Sequence, residues 1–392
     1  MRERRTQSRR RFLAAAGVAS TTALAGCSGI SGVLGGGDGE DGEDGEDGER
    51  PSLTDFRGSG EYVADRPAPG GTSVEELPDL EGELAVYLGG GEGGRYTNLM
   101  DLFNQYYDDF EVTWDTQPSS QLANTIVQEH ESGATQADVF WSVDIGSLAY
   151  VSENGAATTL SSDTVSPAFE RYHPDDTWVG VAGRSRAIPY NTDEFSESEM
   201  PDSIDAFATE SRFAGNVGWA PTYGAFHGFV TAMRHIRGDD ATREWLNGML
   251  DQDVNRYDNE YLVAQATANG ELATGFANHY YTMLVLAGSE DAPIDLTFTK
   301  NDAGSLVNAA GASVLEGASE PELGENFLRH LLSAEAQEFF ATRGFGYPMI
   351  EGVEPVGPLP KLSELEPPEL DFQKLSDIQP TLELLRDVGI LS

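Results

Sequence analysis

Two adjacent tyrosines, Tyr280 and Tyr281, have the most informative chemistry in this sequence, and Asn278 and His279 precede them. A phenol ionises at about pH 10 in water, but a trivalent cation favours the phenolate strongly enough to make tyrosine an anionic oxygen ligand near neutral pH. Hard oxygen donors suit a hard ion such as Fe(III). The pair therefore predicts either a ferric-ion site or two amphipathic aromatic residues that cap a core.

The elements that position this pair must turn the chain at that point. Neighbouring residues in a strand face opposite sides, so two adjacent tyrosines can serve one ion only at a strand end or at the start of a helix. We expect the pair at the rim of a cleft. Strands alternate with helices along the chain, which predicts an α/β fold with mainly parallel sheets. The predicted strands include residues 83–88, 110–114, 138–141 and 312–315, and the predicted helices include residues 97–107, 121–131, 226–237, 241–250, 321–332 and 334–342.

The charge of the chain is extreme. Asp and Glu number 66 against 24 Lys and Arg, which gives a formal net charge of −42 over 392 residues. Such a surface repels nucleic acid and anionic lipid, so neither is an expected partner. At molar salt the screening length falls to roughly 3 Å, and this composition is then tolerable. We interpret it as a halophile's composition, which says little about the particular function.

The N-terminus predicts export. Residues 8–13, Ser-Arg-Arg-Arg-Phe-Leu, match the twin-arginine pattern, and the small apolar run that follows is too short to span a membrane. Residues 24–27, Leu-Ala-Gly-Cys, are typical of a lipobox, which would make Cys27 the lipidated first residue of the mature protein. Cys27 is the only cysteine, so the sequence offers no disulfide and no thiolate metal site. Residues 1–26 are therefore predicted to be a signal peptide, and the lipid is the only predicted membrane attachment, on the extracellular face.

Residues 27–80 have the composition of a linker. They are rich in Gly, Asp, Glu, Ser and Pro, with a nearly regular Gly-Glu-Asp repeat over residues 39–49. Such a segment cannot bury enough apolar surface to order itself. We therefore predict a disordered acidic tether between the lipid anchor and a globular domain.

A rival motif precedes the second strand. Gly89, Gly91 and Gly94 satisfy G-x-G-x-x-G after a strand, and Asp115 lies about twenty residues on, as a dinucleotide-binding fold requires. However, Glu92 lies in the loop that a pyrophosphate would approach, and an exported protein meets little nicotinamide cofactor. An exported nucleotide-dependent oxidoreductase is the alternative of a different class.

Six ordered groups of segments, between about residues 83 and 353, resemble the ferric-iron-binding family of periplasmic-type solute-binding proteins, the receptors of ABC importers. The segments are 137–141 with 146–148, 183–186 with 189–192, 218–222 with 224–226, 268–271 with 278–281, 309–312, and 346–348. The resemblance implies a type II fold, in which two α/β lobes joined by hinge strands close on a ligand. It also implies a non-enzyme that binds Fe(III) with a synergistic anion such as carbonate or phosphate, and an ABC permease as partner. We expect a monomer.

Carried over residue by residue, the resemblance makes Tyr280 and Tyr281 the metal ligands and places Asn278 where the family holds the anion. Arg184 or Arg186 could neutralise that anion. The charges agree with this assignment, because two phenolates leave one positive charge on Fe(III). A small oxyanion can neutralise this remaining charge and complete the coordination of the ion, while the guanidinium of an arginine binds the other oxygens of the anion.

Further anion contacts would come from Thr222, Tyr223 and the backbone N–H groups near Gly224, where a helix is predicted to begin. Tyr223 stands where the family has a small polar residue. It could therefore be a third phenolate or only a lid.

The first lobe departs from the family pattern at two positions. Where many members have a histidine ligand this chain has Gly91 followed by Glu92, and where some have a glutamate it has Val143 followed by Asp144. Either carboxylate could bind the metal, because both are hard oxygen donors. Equally, the first lobe could give no ligand.

The predicted boundaries place the first lobe at residues 81–184, with residues 286–345 returning to it. The second lobe would comprise residues 185–285 with the C-terminal helices of residues 346–392. Another cargo for the same class of receptor is an oxyanion or organic solute that stacks on, or hydrogen-bonds to, Tyr280 and Tyr281.

Overall fold

Strands and helices alternate through most of the chain, as the hydrophobic pattern predicted. A computed structural model describes residues 50–90 and 95–392. Its strands are β1 (Gly82–Gly89), β2 (Phe110–Gln117), β3 (Val139–Ser142), β4 (Val179–Asn191), β5 (Val217–Trp219), β6 (Asn255–Arg256), β7 (Thr274–Gly275), β8 (Ala277–Asn278), β9 (Ile294–Thr297) and β10 (Val307–Val314).

The described chain has the six predicted helices and further ones. They are α1 (Glu61–Ala64), α2 (Arg95–Tyr106), α3 (Ser119–Ser132), α4 (Ile145–Glu153), α5 (Ser162–Val165), α6 (Asp205–Thr209), α7 (Gly224–Arg237), α8 (Asp239–Asp251), α9 (Glu260–Ala268), α10 (His279–Gly288), α11 (Pro321–Leu331), α12 (Ala334–Gly344) and α13 (Gln379–Asp387). The six predicted helices, α2, α3, α7, α8, α11 and α12, begin and end within two residues of the predicted positions. Side-chain caps start several of them. Asn259 accepts from the N–H of Leu262 at 3.0 Å to begin α9, and Asp144 accepts from the N–H of Ser147 at 2.8 Å to begin α4.

The strands form one path in the order β2-β1-β3-β10-β4-β7-β5-β6, with β8 and β9 also paired to β4. We call the part built on β1, β2, β3, β10 and residues 179–185 of β4 the first lobe. In it β1 pairs in parallel with β2 and β3, and β10 runs antiparallel to β3 and β4. The second lobe comprises residues 186–191 of β4 with β5 to β9, where β5 pairs in parallel with β6 and β7.

The strand β4 therefore belongs to both lobes. It pairs with β10 up to Ser185 and with β8 and β9 from Arg186 onward. The chain crosses back between β9 and β10, through residues 298–306. Side chains on β4 near this change of partner consequently lie where the two lobes meet.

Residues 50–80 differ from the predicted tether. Phe56, Val74 and Leu80 are fully buried, and Arg66 pairs with the buried Glu338 at 2.9 Å between Nη2 and Oε2. The prediction rested on the average composition of residues 27–80, which is polar. It did not take account of the few apolar residues in this segment that pack against the folded domain. The signal peptide, Cys27 and the acidic repeat lie outside the described residues.

The predicted lobe boundaries also need correction near the C-terminus. The strand β9, inside the stretch predicted to return to the first lobe, pairs with the second-lobe part of β4. Tyr347, predicted for the second lobe, donates its N–H to Gly183 O at 2.8 Å in the first. Hydrophobic pattern gives the elements but not the partner of each strand, because pairing is set by contacts distant in sequence. None of the helices in the described residues is long and apolar enough to cross a membrane.

Candidate functional site

The tyrosine pair lies at the junction of a strand and a helix, as its chemistry required. Asn278 ends β8 and is the N-cap of α10, so Tyr280 and Tyr281 fall in the first turn of that helix. Their ring centroids are 4.4 Å apart, with the planes inclined by 47°. The side chain of Asn278 donates from Nδ2 to the hydroxyl of Tyr280 at 3.3 Å. The turn thus directs two neighbouring side chains to the same region.

A third tyrosine joins this pair. Tyr223 is the N-cap residue of α7, and its hydroxyl oxygen is 2.5 Å from that of Tyr281. Burial raises the pKa of Tyr281, and the neighbouring Tyr280 and Tyr223 raise it further. The Tyr281 hydroxyl therefore keeps its proton at neutral pH unless a strong Lewis acid displaces it.

A cavity of about 710 Å³ opens beside these residues and lies between the two lobes. Tyr223, Asn278 and Tyr280 line it from the second lobe, whereas Tyr281 is not a lining residue and lies behind them, in contact with Tyr223. The first lobe and the crossing strands contribute Gly90, Ser119, Asp144, Ser147, Arg184, Arg186 and Asn308 among others. The structure therefore brings most of the predicted site residues to one interlobe cleft.

Arg186 is held in this cleft by a buried carboxylate that the sequence did not single out. Its Nη1 donates to Oε1 of Glu260 in a short contact, and to Oδ1 of Asn278 at 3.4 Å. The other carboxylate oxygen of Glu260 accepts from the N–H of Asn278 at 2.8 Å. Glu260 is fully buried, and Arg186 is 3% exposed. This carboxylate thus fixes the arginine and the turn that precedes the tyrosines.

Two nitrogen atoms of the Arg186 guanidinium remain available for further hydrogen bonds. Within the described part of the chain, its Nε and Nη2 are buried and have no hydrogen-bond partner. A buried guanidinium with unsatisfied N–H groups is costly, and an anion in the cavity would satisfy it. Arg184, two residues earlier, donates from Nη2 to the carbonyl oxygen of Val143 in a short contact within the first lobe.

Helix N-termini surround the cavity from both lobes. Ser119 begins α3, Asp144 caps α4, Tyr223 caps α7 and Tyr280 lies in the first turn of α10, and all four residues line the cavity. The N-terminus of a helix carries a partial positive charge and unpaired N–H groups. The cavity therefore favours anionic ligands in addition to any cation bound by the phenolates.

The remaining predicted residues have different positions. Asp144 lines the cavity, but its Oδ1 and Oδ2 accept from the N–H and the hydroxyl of Ser147 at 2.8 and 3.0 Å. Its first role is therefore to cap α4. Thr222 is exposed and is not among the cavity-lining residues, whereas Gly224 and Ala225 line that part of the wall. Glu92 lies outside the described residues.

Sequence reasoning missed three contributions. Glu260 is 74 residues from Arg186, and no local pattern links them. Asn308 lies on β10 and accepts from the N–H of Ile145 at 3.3 Å. Leu375, Ser376, Asp377 and Ile378, near the C-terminus, form another part of the wall. Only Asn308 had a sequence signal, as an amide in a strand of small and apolar residues.

Conventional metal ligands do not cluster in the described residues, where no group of three or more His, Cys, Asp and Glu side chains could hold an ion. The phenol oxygens of Tyr223 and Tyr280 and the carboxylates of Asp144 and Asp377 line the cleft. They suit a hard, highly charged ion that can displace phenolic protons.

Comparison with known proteins gives a consistent result. A family model described as bacterial extracellular solute-binding protein matches residues 98–367, well over half of the chain. The major ferric iron-binding protein of Neisseria meningitidis serogroup B is 28% identical over 286 residues, which cover 71% of this chain and 85% of that protein. Iron uptake protein A2 of a Synechocystis species is 27% identical over 299 residues, covering 72% and 85%.

Solved structures agree with this result. Iron-bound HitA from Pseudomonas aeruginosa matches with a TM-score of 0.68 at 26% identity, covering 78% of this chain and 99% of that one. Apo FutA2 from Synechocystis matches with a TM-score of 0.64 at 23% identity, covering 79% and 100%, and shows the shared fold. The predicted α/β periplasmic-binding-protein fold is confirmed, and the oxidoreductase alternative is wrong. The chain belongs to the bacterial extracellular solute-binding proteins, a family of transport receptors and not of enzymes.

Proposed function

We propose that this protein captures ferric iron outside the cell and presents it to an ABC permease. The observation that carries the proposal is the group of three tyrosines at the cleft, in which the hydroxyls of Tyr223 and Tyr281 are 2.5 Å apart and Tyr280 lies beside them. The names of the similar proteins, a ferric iron-binding protein and an iron uptake protein, support the same cargo.

The charges of such a complex balance. Each phenol releases one proton when it binds, so Tyr280 and Tyr281 reduce the charge of Fe(III) from +3 to +1. A third phenolate from Tyr223 would neutralise it. No bond of the cargo is broken, and the released protons pass to solvent.

A synergistic anion such as carbonate or phosphate completes the proposed site. The unpartnered Nε and Nη2 of Arg186 and the helix N-termini at Ser119 and Gly224 support an anion in the cavity. Asp144 remains a candidate for a further oxygen ligand from the first lobe, because each of its oxygens accepts one hydrogen bond from Ser147 and has a second lone pair.

Hinge closure is the proposed mechanism. The chain changes lobes at Ser185 and Arg186 on β4, so residues of this strand lie at the pivot while tyrosines and first-lobe groups lie on opposing walls. An open form binds iron and anion through the second lobe, and closure then excludes water. We further propose attachment to the membrane through a lipid on Cys27, which the mass of the mature N-terminus tests.

Ferric titration tests the cargo. Phenolate coordination to Fe(III) produces a visible charge-transfer colour, so the wild-type protein is expected to become coloured at one iron per chain. The double variant Tyr280→Phe with Tyr281→Phe should stay colourless and gain no thermal stability from iron, because no phenolate remains at α10.

Tyr190→Phe is the matched control. This tyrosine is also buried in the second lobe, but its hydroxyl contacts Asp295 at 3.4 Å and it does not line the cavity. It should keep the full colour. A wild-type protein that remains colourless and unstabilised with ferric salt would overturn the proposal.

The cavity volume favours a second candidate within the same receptor class. About 710 Å³ is far more than one ion with a small anion fills, so an organic anion, alone or as an iron chelate, also fits. A thermal shift with iron-free organic anions, and none with ferric salt, would favour that cargo.

A further inference from the structure

The segment near the C-terminus contacts both lobes at the rim of the cavity. We call residues 372–381 the C-terminal clasp. Phe372 fixes the N-terminal end of the clasp to the first lobe. The ring of Phe372 stacks on that of Tyr172, with centroids 5.6 Å apart and planes inclined by 23°. The guanidinium carbon of Arg171 lies 5.2 Å from the centre of the same ring. This end of the clasp is therefore anchored by buried aromatic contacts.

The other end is anchored to the second lobe. The hydroxyl of Thr381, fully buried in α13, lies 2.8 Å from the hydroxyl of Thr231 in α7, and Nη1 of Arg234 donates to it at 3.1 Å. Leu385 is fully buried one turn later, and Arg256 donates to Ile390 O at 2.8 Å. Both hydrogen bonds and apolar packing hold this end.

Between the anchors the chain lines the cavity. Leu375, Ser376, Asp377 and Ile378 form part of its wall, with Ser376 and Asp377 exposed at the rim. The backbone here lies directly against the start of α4. A Cβ on Gly146 would be 3.0 Å from the nitrogen of Ser376 and 3.3 Å from the carbonyl carbon of Leu375.

The clasp has little slack. A 3-10 helix covers Phe372–Ser376 and α13 begins at Gln379, so only Asp377 and Ile378 lie between two helical segments. An extended residue spans at most about 3.5 Å, so this link can lengthen by only a few ångströms unless a helix unwinds. A wide opening of the cleft would have to break one of the two anchors.

We propose that the C-terminal clasp limits how far the two lobes separate and thereby slows release of the cargo. The effect on release rests on the proposed function, whereas the effect on opening does not.

Lengthening the clasp tests this directly, because it removes no side chain and leaves both anchors in place. Insertion of Gly-Ser-Gly-Ser between Asp377 and Ile378 should widen the cleft of the ligand-free full-length protein. Spin labels at Glu131→Cys in the first lobe and Asp251→Cys in the second, both exposed positions, report the separation in a Cys27→Ser background. Iron release to a competing chelator should be several-fold faster than in the wild type.

The same insertion between Glu290 and Asp291, in an exposed loop of the second lobe, is the matched control and should change neither quantity. Thr381→Val is a second variant that keeps the chain length and loosens one anchor. It should increase the label separation and the rate of iron release, but by less than the clasp insertion does.

Unchanged label distances and unchanged release in the clasp insertion would overturn the proposal, provided that its melting temperature equals that of the control insertion. If the clasp insertion does not fold, Thr381→Val decides by the same two measurements. If the wild type binds no iron yet the insertion widens the cleft, the clasp stands and only the proposed cargo fails.

Discussion

At the scale of residues, the proposed site is built on the hydroxyls of three tyrosines, Tyr223, Tyr280 and Tyr281. Burial raises the pKa of Tyr281, and it shares a 2.5 Å hydrogen bond with Tyr223. Below that raised pKa the hydroxyl holds its proton, so binding as a phenolate must release it. Each proton released weakens the apparent affinity by about tenfold for every unit by which the pH falls.

This proton release also identifies the ligands. Wild-type protein and Tyr223→Phe, loaded from the same ferric chelate in weakly buffered solution, should differ by about one proton per iron if Tyr223 binds as a phenolate. A pH indicator measures the difference, and the protons taken up by the chelator cancel because they are the same in both titrations. Equal proton release would assign Tyr223 the role of a lid.

At the scale of elements, the start of α9 secures the start of α10. Glu260, in the first turn of α9, binds both the guanidinium of Arg186 on β4 and the N–H of Asn278 at the N-cap of α10. One carboxylate thus joins the crossing strand to the helix that presents the tyrosines. Breaking a buried ion pair leaves an uncompensated charge, which commonly costs about 3–5 kcal/mol.

Glu260→Gln should therefore lower the free energy of unfolding by about 3 kcal/mol, as measured by denaturant titration. Carbonate or phosphate should restore more stability to this variant than to the wild type, because the anion supplies the missing negative charge beside Arg186. Glu210→Gln, which removes an exposed ion pair with Arg212, should change stability by only about 0.5 kcal/mol. A loss of similar size in both variants would contradict this role of Glu260.

At the scale of the whole molecule, self-repulsion between acidic groups opposes folding. The net charge of −42 acts over about 10 Å at 0.1 M salt but over only about 3 Å at 1 M. The melting temperature should therefore rise by several degrees between 0.1 and 2 M NaCl. Sucrose at equal osmolality is the control, since it does not screen charge, and an equal rise with sucrose would exclude screening as the cause.

The sequence alone determined the alternation of strands and helices and the need for a turn at the tyrosine pair. Both are local: periodicity follows from which face of an element is buried, and two adjacent side chains converge only where a strand ends or a helix begins. Tyr280, Tyr281, Asn278 and Arg186 could be selected on these grounds together with the resemblance.

Only the tertiary structure decided which distant groups complete the cleft. It paired Arg186 with Glu260, set Tyr223 against Tyr281, and brought residues 375–378 to the cavity wall. It also packed Phe56, Val74 and Leu80 from a segment whose average composition predicted disorder. The physical reason is the same in each case. These contacts join residues that are far apart in the chain, and they depend on burial and strand register, which no local sequence pattern encodes.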